Sequence, residues 1–394
     1  MKLLKLASAI MSGGWPGWRL GSYRPANIAF DLNLGEGVAL TFSEASVIRL
    51  IRQKTSVEGG KDRLLIDIGD DAAALSPRKD EAVVLSTDAL VEGVHFRLDW
   101  ASPLLIGQKA TLASLSDLIA MGSRPAACLC SLGLPKDLTL DFVESLIDGV
   151  LLAATDLGAT LAGGNVSASR ELFISSTVVG HAPAERLVTR SGARVGDSVY
   201  VTGSLGGAAV AANWLSKQPP NGPGLLLTAS ALEEAVVAGA ASEGVPWSAL
   251  QRFWTPTLRL REATLLSEYR ICSAMIDISD GLASDLRHIC EESGVGAVVW
   301  KDRVPVFDVA EVGEMCDRSS LFEMAMYGGE DYELLFTVRP QNEAHLARLL
   351  GEDGFCSVTK VGQIVERSEG ILLASGSGCK SEMRRGFDHF TDGE

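Results

Sequence analysis

The feature that most constrains the fold of this chain is a recurring pattern: a short apolar run ends in acidic residues and leads into a helix-like segment. The runs RLLIDIGDD (63–71), AVVLSTDAL (82–90) and SAMIDISDG (273–281) share this pattern. Each run has the length and the aliphatic content of a buried β-strand, and alternation of such strands with helices predicts an α/β architecture. Functional side chains tend to lie where strands end, so we expect the acids that close these runs to mark a site.

The 394 residues, of which 46% are hydrophobic, suffice for two domains. We predict a first α/β domain over 41–182, with helices over 41–55, 103–121 and 138–162 and a strand over 171–182. After the turn-like segment GARVGD the second domain follows, and we assign it residues 183–394. Residues 1–40 are expected to form a disordered or loosely packed extension rather than a signal peptide, since Lys5 interrupts their short apolar stretch.

The charge balance excludes some classes of partner. With 35 basic against 50 acidic residues the formal net charge is -15, which argues against binding to nucleic acid or to an anionic membrane. The longest apolar stretch is interrupted by Asp156 and falls short of a membrane span. The seven cysteines form no C-x-x-C pair, so neither a zinc site nor a disulfide framework is indicated, and a reducing, cytoplasmic location is expected.

Six polar segments recur at the ends of predicted elements. Each alone is compatible with an ordinary turn or helix cap, but carboxylates brought together in this way would need cations, and Mg²⁺ prefers such oxygen ligands. In IDISDG, strand alternation puts Asp277 and Ser279 on one face, and Asp280 is expected to cap the next helix. The segments are IGDDAA (68–73), STD (86–88), SLSD (114–117), AGGN (162–165), IDISDG (276–281) and YGGEDYE (327–333).

Several common catalytic motifs are absent from the sequence. It contains no P-loop, no G-x-S-x-G and no H-E-x-x-H, and its five histidines are scattered. An aspartate-based metal site suited to phosphoryl transfer remains, where catalysis is chiefly positioning and charge neutralisation.

Eight segments occur in the order and approximate spacing of the thiamine-monophosphate kinase family, which the chain resembles from about residue 41 to 390. They are IGDDAA, STDALVEGVHF, KATLASLSDLIAMGSRP, AGGN, TRSGARVGD, IDISDGLASDL, GGEDYELLF and GFDHF. The resemblance implies a two-domain fold like that of aminoimidazole ribonucleotide synthetase, in a homodimer whose N-terminal sheets pair, with ATP near that interface. It also implies direct in-line transfer from ATP to thiamine monophosphate, with several Mg²⁺ ions, no phospho-enzyme and no covalent or acid–base catalytic residue.

The resemblance assigns roles by position. Implied Mg²⁺ ligands are Asp71, Ser86, Thr87, Asp88, Asp117, Asn165, Asp277 and Asp280. Implied ATP contacts are Gly164, Asn165, Arg190 and Ser279, and implied contacts to thiamine monophosphate are His95, Glu330 and Phe387.

The chain departs from the family pattern at Asn165 and Val166, where Asp and Thr are usual. Loss of one anion should weaken one metal site rather than empty the pocket. A working kinase with an altered metal shell is the favoured reading. The alternatives are a catalytically weak relative that senses nucleotide or thiamine phosphate, and another ATP-dependent enzyme of this fold.

Overall fold

A computed structural model describes residues 44–55, 64–66, 74–75, 79–218, 246–308, 316–351, 354–376 and 379–384. Outside these ranges lie the predicted extension over 1–40 and the predicted site residues Asp71 and Phe387. Within them the seven cysteines are free thiols, and no helix is both long and apolar enough to cross a membrane.

A short antiparallel pair, β1 (Leu64–Ile66) and β2 (Ala74–Leu75), precedes the four-stranded sheet of the first domain. The strands of this sheet are β3 (Glu81–Val91), β4 (Arg124–Leu134), β5 (Thr160–Ala168) and β6 (Phe173–Pro183). Their order across the sheet is β3-β6-β4-β5, and within it only β4 and β5 are parallel neighbours. Its helices are α1 (Glu44–Thr55), α2 (Pro103–Ala120) and α3 (Leu140–Asp156).

Glycines bring α2 and α3 into close contact against one face of this sheet. A Cβ on Gly107 would lie 2.1 Å from the Leu146 carbonyl oxygen, and one on Gly149 would lie 2.0 Å from that of Leu104. No larger residue fits at either crossing point, so these glycines set the helix spacing. The opposite face of the sheet is open: on β3, Val83 is 58% exposed and Leu85 66%.

A seven-stranded sheet forms the second domain. Its strands are β7 (Ser198–Thr202), β8 (Cys272–Asp277), β9 (Gly296–Trp300), β10 (Leu334–Val338), β11 (Val358–Val365), β12 (Ile371–Ala374) and β13 (Lys380–Glu382). Their order across the sheet is β13-β12-β9-β11-β7-β10-β8. The described helices are α4 (Gly207–Ser216), α5 (Trp247–Trp254), α6 (Leu260–Glu268), α7 (Leu282–Ser293), α8 (Arg318–Tyr327) and α9 (Glu343–Leu350).

Three local predictions are wrong. The helix predicted over 138–162 ends at Asp156, because Gly158 adopts a left-handed φ of 81° and turns the chain into β5, so that AGGN belongs to a strand rather than to a helix end. STD lies in the middle of β3 rather than at its end. Asp280 does not cap α7; the cap residue is Gly281, and the side chain of Asp285 instead accepts hydrogen bonds from the preceding turn.

Candidate active site

A cavity of about 440 Å³ collects most of the described residues that the resemblance assigns. Its lining includes aspartates from both domains, together with predicted nucleotide and substrate contacts. Among the predicted residues that line it are Asp88, His95, Asp117, Asp277, Ser279, Asp280 and Glu330. Segments that are far apart in the sequence therefore meet at one place.

Helix α2 organises the carboxylates through its polar face. Ser86 on β3 donates a hydrogen bond to Asp117 Oδ2 at 2.5 Å, and Ser116 donates to Asp277 Oδ2 at 2.7 Å. Asp277 ends β8 in the second domain and is almost completely buried. Asp117 on this helix and Asp277 of the second domain are thus each fixed by a serine hydroxyl.

The carboxylates crowd one another electrostatically. Burial, and then repulsion from Asp117, raise the pKa of Asp88 to about 6. The same two causes raise the pKa of Asp277 to about 7, although a hydrogen bond from Ser116 and attraction by Arg190 oppose the rise. Ionised acids that repel one another at this depth favour a bound cation. Carboxylate and hydroxyl oxygens are also the donors that Mg²⁺ prefers, so the set fits the expected metal.

A second cavity of about 400 Å³ adjoins the first, and Asp117 and Asp277 line both. Arg190 supplies a fixed positive charge to this cavity, and its apolar walls include Leu118, Met121, Val188 and Met275. The shared aspartates therefore lie at the border between a cavity with an arginine and a cavity with His95 and Glu330.

The backbone orients His95 at the first cavity. The amide of Val91 donates a hydrogen bond to His95 Nδ1 at 3.1 Å. A neutral imidazole whose Nδ1 accepts a hydrogen bond carries its proton on Nε2. Nε2 is therefore the donor that the ring can present.

The acids of YGGEDYE have separate partners. Glu330 lines the first cavity and forms an ion pair with Lys109 at 2.8 Å. Asp331 accepts the Gly206 amide at the start of α4 at 2.7 Å, and Glu333 pairs with Arg259 at 2.5 Å. Only the first of the three acids is available to a ligand in the cavity.

Three predicted site residues do not join this group in the described structure. Thr87 alternates to the open face of β3, where its hydroxyl shares a hydrogen bond of 2.9 Å with Thr177. Asn165 is exposed on β5 and lines neither cavity, and the same holds for Gly164. Gly164 has a packing reason of its own, because a Cβ there would lie 1.8 Å from the Cys130 carbonyl oxygen. Their assigned roles stay predictions.

Several residues in or beside the first cavity were not predicted from the sequence. Trp100 and Phe253 line the first cavity as an aromatic wall, with their ring centroids 6.4 Å apart at an edge-on angle. Ligand atoms of Asp280, Asp285 and His288 lie within 4.8 Å of one another. The D-x-x-H spacing on α7 was the available signal for the last pair, whereas no pattern marks the two aromatic residues.

Family models define the class of protein. The model for AIR synthase related protein, N-terminal domain, matches residues 69–182, and that for the C-terminal domain matches residues 194–374. The chain therefore has the mixed α/β, two-domain fold of this class.

Individual relatives narrow the class to one family. Thiamine-monophosphate kinase of Aquifex aeolicus (strain VF5) is 34% identical over 325 residues, which cover 82% of this chain and 92% of the relative. The crystal structure of thiamine-monophosphate kinase from Stenotrophomonas maltophilia K279a is 31% identical with a TM-score of 0.67, and covers 85% of this chain and 96% of that chain. AaThiL complexed with AMPPCP and TMP is 32% identical with a TM-score of 0.63, at 88% and 97% coverage. The chain belongs to the thiamine-monophosphate kinase family.

Proposed function

We propose that this chain transfers the γ-phosphoryl group of ATP to the phosphate of thiamine monophosphate, giving thiamine diphosphate and ADP. One observation carries the proposal: Asp117 and Asp277 line two adjoining cavities at once. A donor phosphate in one cavity and an acceptor phosphate in the other would meet beside these carboxylates. The family relatives support this assignment, as does the binding of AMPPCP and TMP by AaThiL.

We assign the second cavity to ATP and the first to thiamine monophosphate. Arg190 in the second cavity offers a permanent charge for phosphate, and the apolar walls there suit a nucleobase. The first cavity offers His95 as a hydrogen-bond donor for the acceptor phosphate, the rings of Trp100 and Phe253, and the carboxylate of Glu330. Thiamine carries a positively charged ring, which aromatic faces and a carboxylate both favour.

The described carboxylates would hold several Mg²⁺ ions. Asp88, Asp117, Asp277 and Asp280 are the described ligands for this role, with the hydroxyl of Ser86 beside them, and we retain Asp71, Thr87 and Asn165 as predicted ligands. Bound Mg²⁺ would neutralise the repulsion between the two phosphate groups. The chain's own residues position the reactants for direct in-line transfer, without a covalent or acid–base residue.

We also propose a cytoplasmic homodimer that pairs through the open face of the first sheet. The support is the exposure of Val83 and Leu85 on that face, since exposed apolar residues that cluster on a sheet mark an interaction surface. Leu85 also lines the second cavity, so a partner on this face would lie beside the ATP site. The proposed domain boundaries remain those of the sequence analysis, 41–182 and 183–394.

The test incubates the purified protein with Mg-ATP and thiamine monophosphate at a series of Mg²⁺ concentrations and measures the product by chromatography. We expect thiamine diphosphate from the wild type, none above background from Asp117→Asn, and wild-type turnover from Asp156→Asn, an exposed acid at the end of α3. Binding of both substrates without product at any Mg²⁺ concentration would favour the sensor and contradict the kinase.

A further inference from the structure

Lys109 is a buried cation for which neither the sequence motifs nor the family resemblance supplied a role. Its side chain is 0% exposed, and its Nζ lies 2.8 Å from Glu330 Oε1. The same ammonium donates to the Phe253 carbonyl oxygen at 3.2 Å and lies 3.4 Å from the centroid of the Phe253 ring. A buried charge is costly unless it is paired, so Lys109 depends on these two partners.

Both partners of Lys109 face the first cavity, whereas Lys109 does not line it. The Glu330 side chain is 29% exposed, and its Oε2 has no hydrogen-bond partner among the residues described. Lys109, which does not line the cavity, thus binds one oxygen of the carboxylate of Glu330, which does, and leaves the other oxygen without a partner among the described residues. Any influence of Lys109 on a ligand passes through Glu330 and Phe253.

The backbone of Glu330 is held separately from its carboxylate. Glu330 has a left-handed φ of 60°, which is uncommon for a residue with a side chain. Its amide donates to the Ser279 carbonyl oxygen at 2.7 Å, which fixes the loop but not the carboxylate. The ion pair with Lys109 is therefore the contact that orients the acid.

Helix α2 links this ion pair to the carboxylate cluster. Lys109, Ala113 and Asp117 are spaced four residues apart, so they lie along one side of the helix, and the last two line the first cavity. At a rise of 1.5 Å per residue, Lys109 and Asp117 are about 12 Å apart along the axis. One rigid element holds both ends of an elongated acceptor site.

We propose that Lys109 is a positioning residue that orients Glu330 and Phe253 to bind the cationic ring system of the acceptor, while Asp117 serves its phosphate end. This proposal rests on the proposed function. It adds a basis for acceptor selectivity. The carboxylate of Glu330, held in place by Lys109, favours acceptors that carry a positive charge at a fixed distance from their phosphate.

The experiment compares steady-state kinetics of Lys109→Met, Glu330→Gln and the double variant with those of the wild type. Lys54→Met is the matched control, because Lys54 forms ion pairs with Glu144 and Asp148 away from both cavities. We expect each single variant to raise KM for thiamine monophosphate at least about tenfold, while kcat and the KM for ATP change less than about twofold. The double variant should resemble the single ones within about twofold, because the two residues act as one unit.

Other outcomes overturn the proposal in distinguishable ways. Equal losses toward both substrates, a fall in kcat alone, or additive effects in the double variant would contradict positioning through Glu330. The double variant removes both charges, so it remains measurable even where Lys109→Met alone fails to fold. Calorimetry with thiamine monophosphate separates the two proposals. If the wild type neither binds thiamine monophosphate nor converts it, both the proposed function and the proposed role of Lys109 are wrong. If the wild type and Lys109→Met bind thiamine monophosphate equally tightly, only the proposed role of Lys109 is wrong.

Discussion

Two groups of buried and partly buried acids in this molecule differ in how their charges are neutralised. Glu333 pairs with Arg259 and also accepts a hydrogen bond from Thr202, and Asp331 accepts two amides at the start of α4. By contrast, Asp88 and Asp277 have hydroxyl partners and repel Asp117. The first group has its partners within the protein, whereas we propose that the second group binds a cation. The comparison therefore separates acids that stabilise the fold from acids that we propose to hold Mg²⁺.

The largest expected effect is loss of activity in the second group. Asp277→Asn removes a charge from the border of both cavities, and we expect turnover to fall by about 10²-fold or more, because the Mg²⁺ that we propose this carboxylate holds would stabilise the charge of the transferring phosphoryl group. The melting temperature should stay at or above that of the wild type, since a neutral amide avoids the cost of burying a charge and the repulsion from Asp117, which together raise the pKa of Asp277. Unchanged turnover would contradict its proposed metal role, and Asp156→Asn is the control.

In the first group, the same type of substitution should affect stability instead. Glu333→Gln leaves Arg259 without its buried partner, and breaking such a pair costs about 3–5 kcal/mol. We expect this loss in chemical denaturation, with little change in the KM values of the folded enzyme. Glu268→Gln is the control, since its pair with Arg124 is largely exposed and is worth about 0–1 kcal/mol. Equal losses of unfolding free energy in Glu333→Gln and Glu268→Gln would contradict the assignment of the first group to stabilising the fold.

When divalent cations are chelated, acids of both groups should make the free energy of unfolding depend on pH, so it is the response to added Mg²⁺ that should separate the groups. Folded-state pKa values of about 6 for Asp88 and about 7 for Asp277 exceed the ordinary value of 3.8. Between the ordinary pKa of 3.8 and these raised values, the folded protein holds more protons than the unfolded chain, so the free energy of unfolding falls as the pH rises through this range. Burial likewise raises the pKa of Asp331 to about 7, so it contributes in the same direction.

Mg²⁺ should restore the part of this loss that comes from Asp88 and Asp277. At pH 8 we expect added Mg²⁺ to raise the melting temperature by about 2–4 °C, because a cation that binds only the folded state stabilises it. An equal rise of the melting temperature in the double variant Asp88→Asn, Asp277→Asn would show that the cation binds to other residues.

The smallest effect is expected at Asn165. Asn165→Asp adds an anion on β5, and we expect it to lower the Mg²⁺ concentration for half-maximal activity by about two- to threefold, an effect reduced by solvent screening. Activity assays over a Mg²⁺ titration measure this shift. An unchanged or higher requirement would show that Asn165 lies outside the metal shell.

Local patterns predicted α2, β3 and β6 well, because helical spacing and aliphatic runs are local properties. They failed after Asp156, where an apolar run continues in helical spacing although Gly158 redirects the chain into a strand that pairs with β4. Only tertiary pairing distinguishes these two outcomes.

The site was predictable as a set of aspartates but not as a set of contacts. The resemblance named Asp88, Asp117 and Asp277, and the structure places all three at one cavity. It gave no indication of Lys109 behind Glu330, because the two residues come from opposite halves of the chain and form an ordinary-looking pair only after folding. Aromatic walls such as Phe253 are likewise indistinguishable from core residues in the sequence.

The most direct measurement follows the phosphorus atoms by ³¹P NMR while the protein acts on Mg-ATP and thiamine monophosphate. We expect the resonances of thiamine diphosphate and ADP to grow together in equal amounts, as the thiamine monophosphate signal declines. Growth of ADP with free phosphate, or no change over a full Mg²⁺ titration, would contradict phosphoryl transfer between the two cavities.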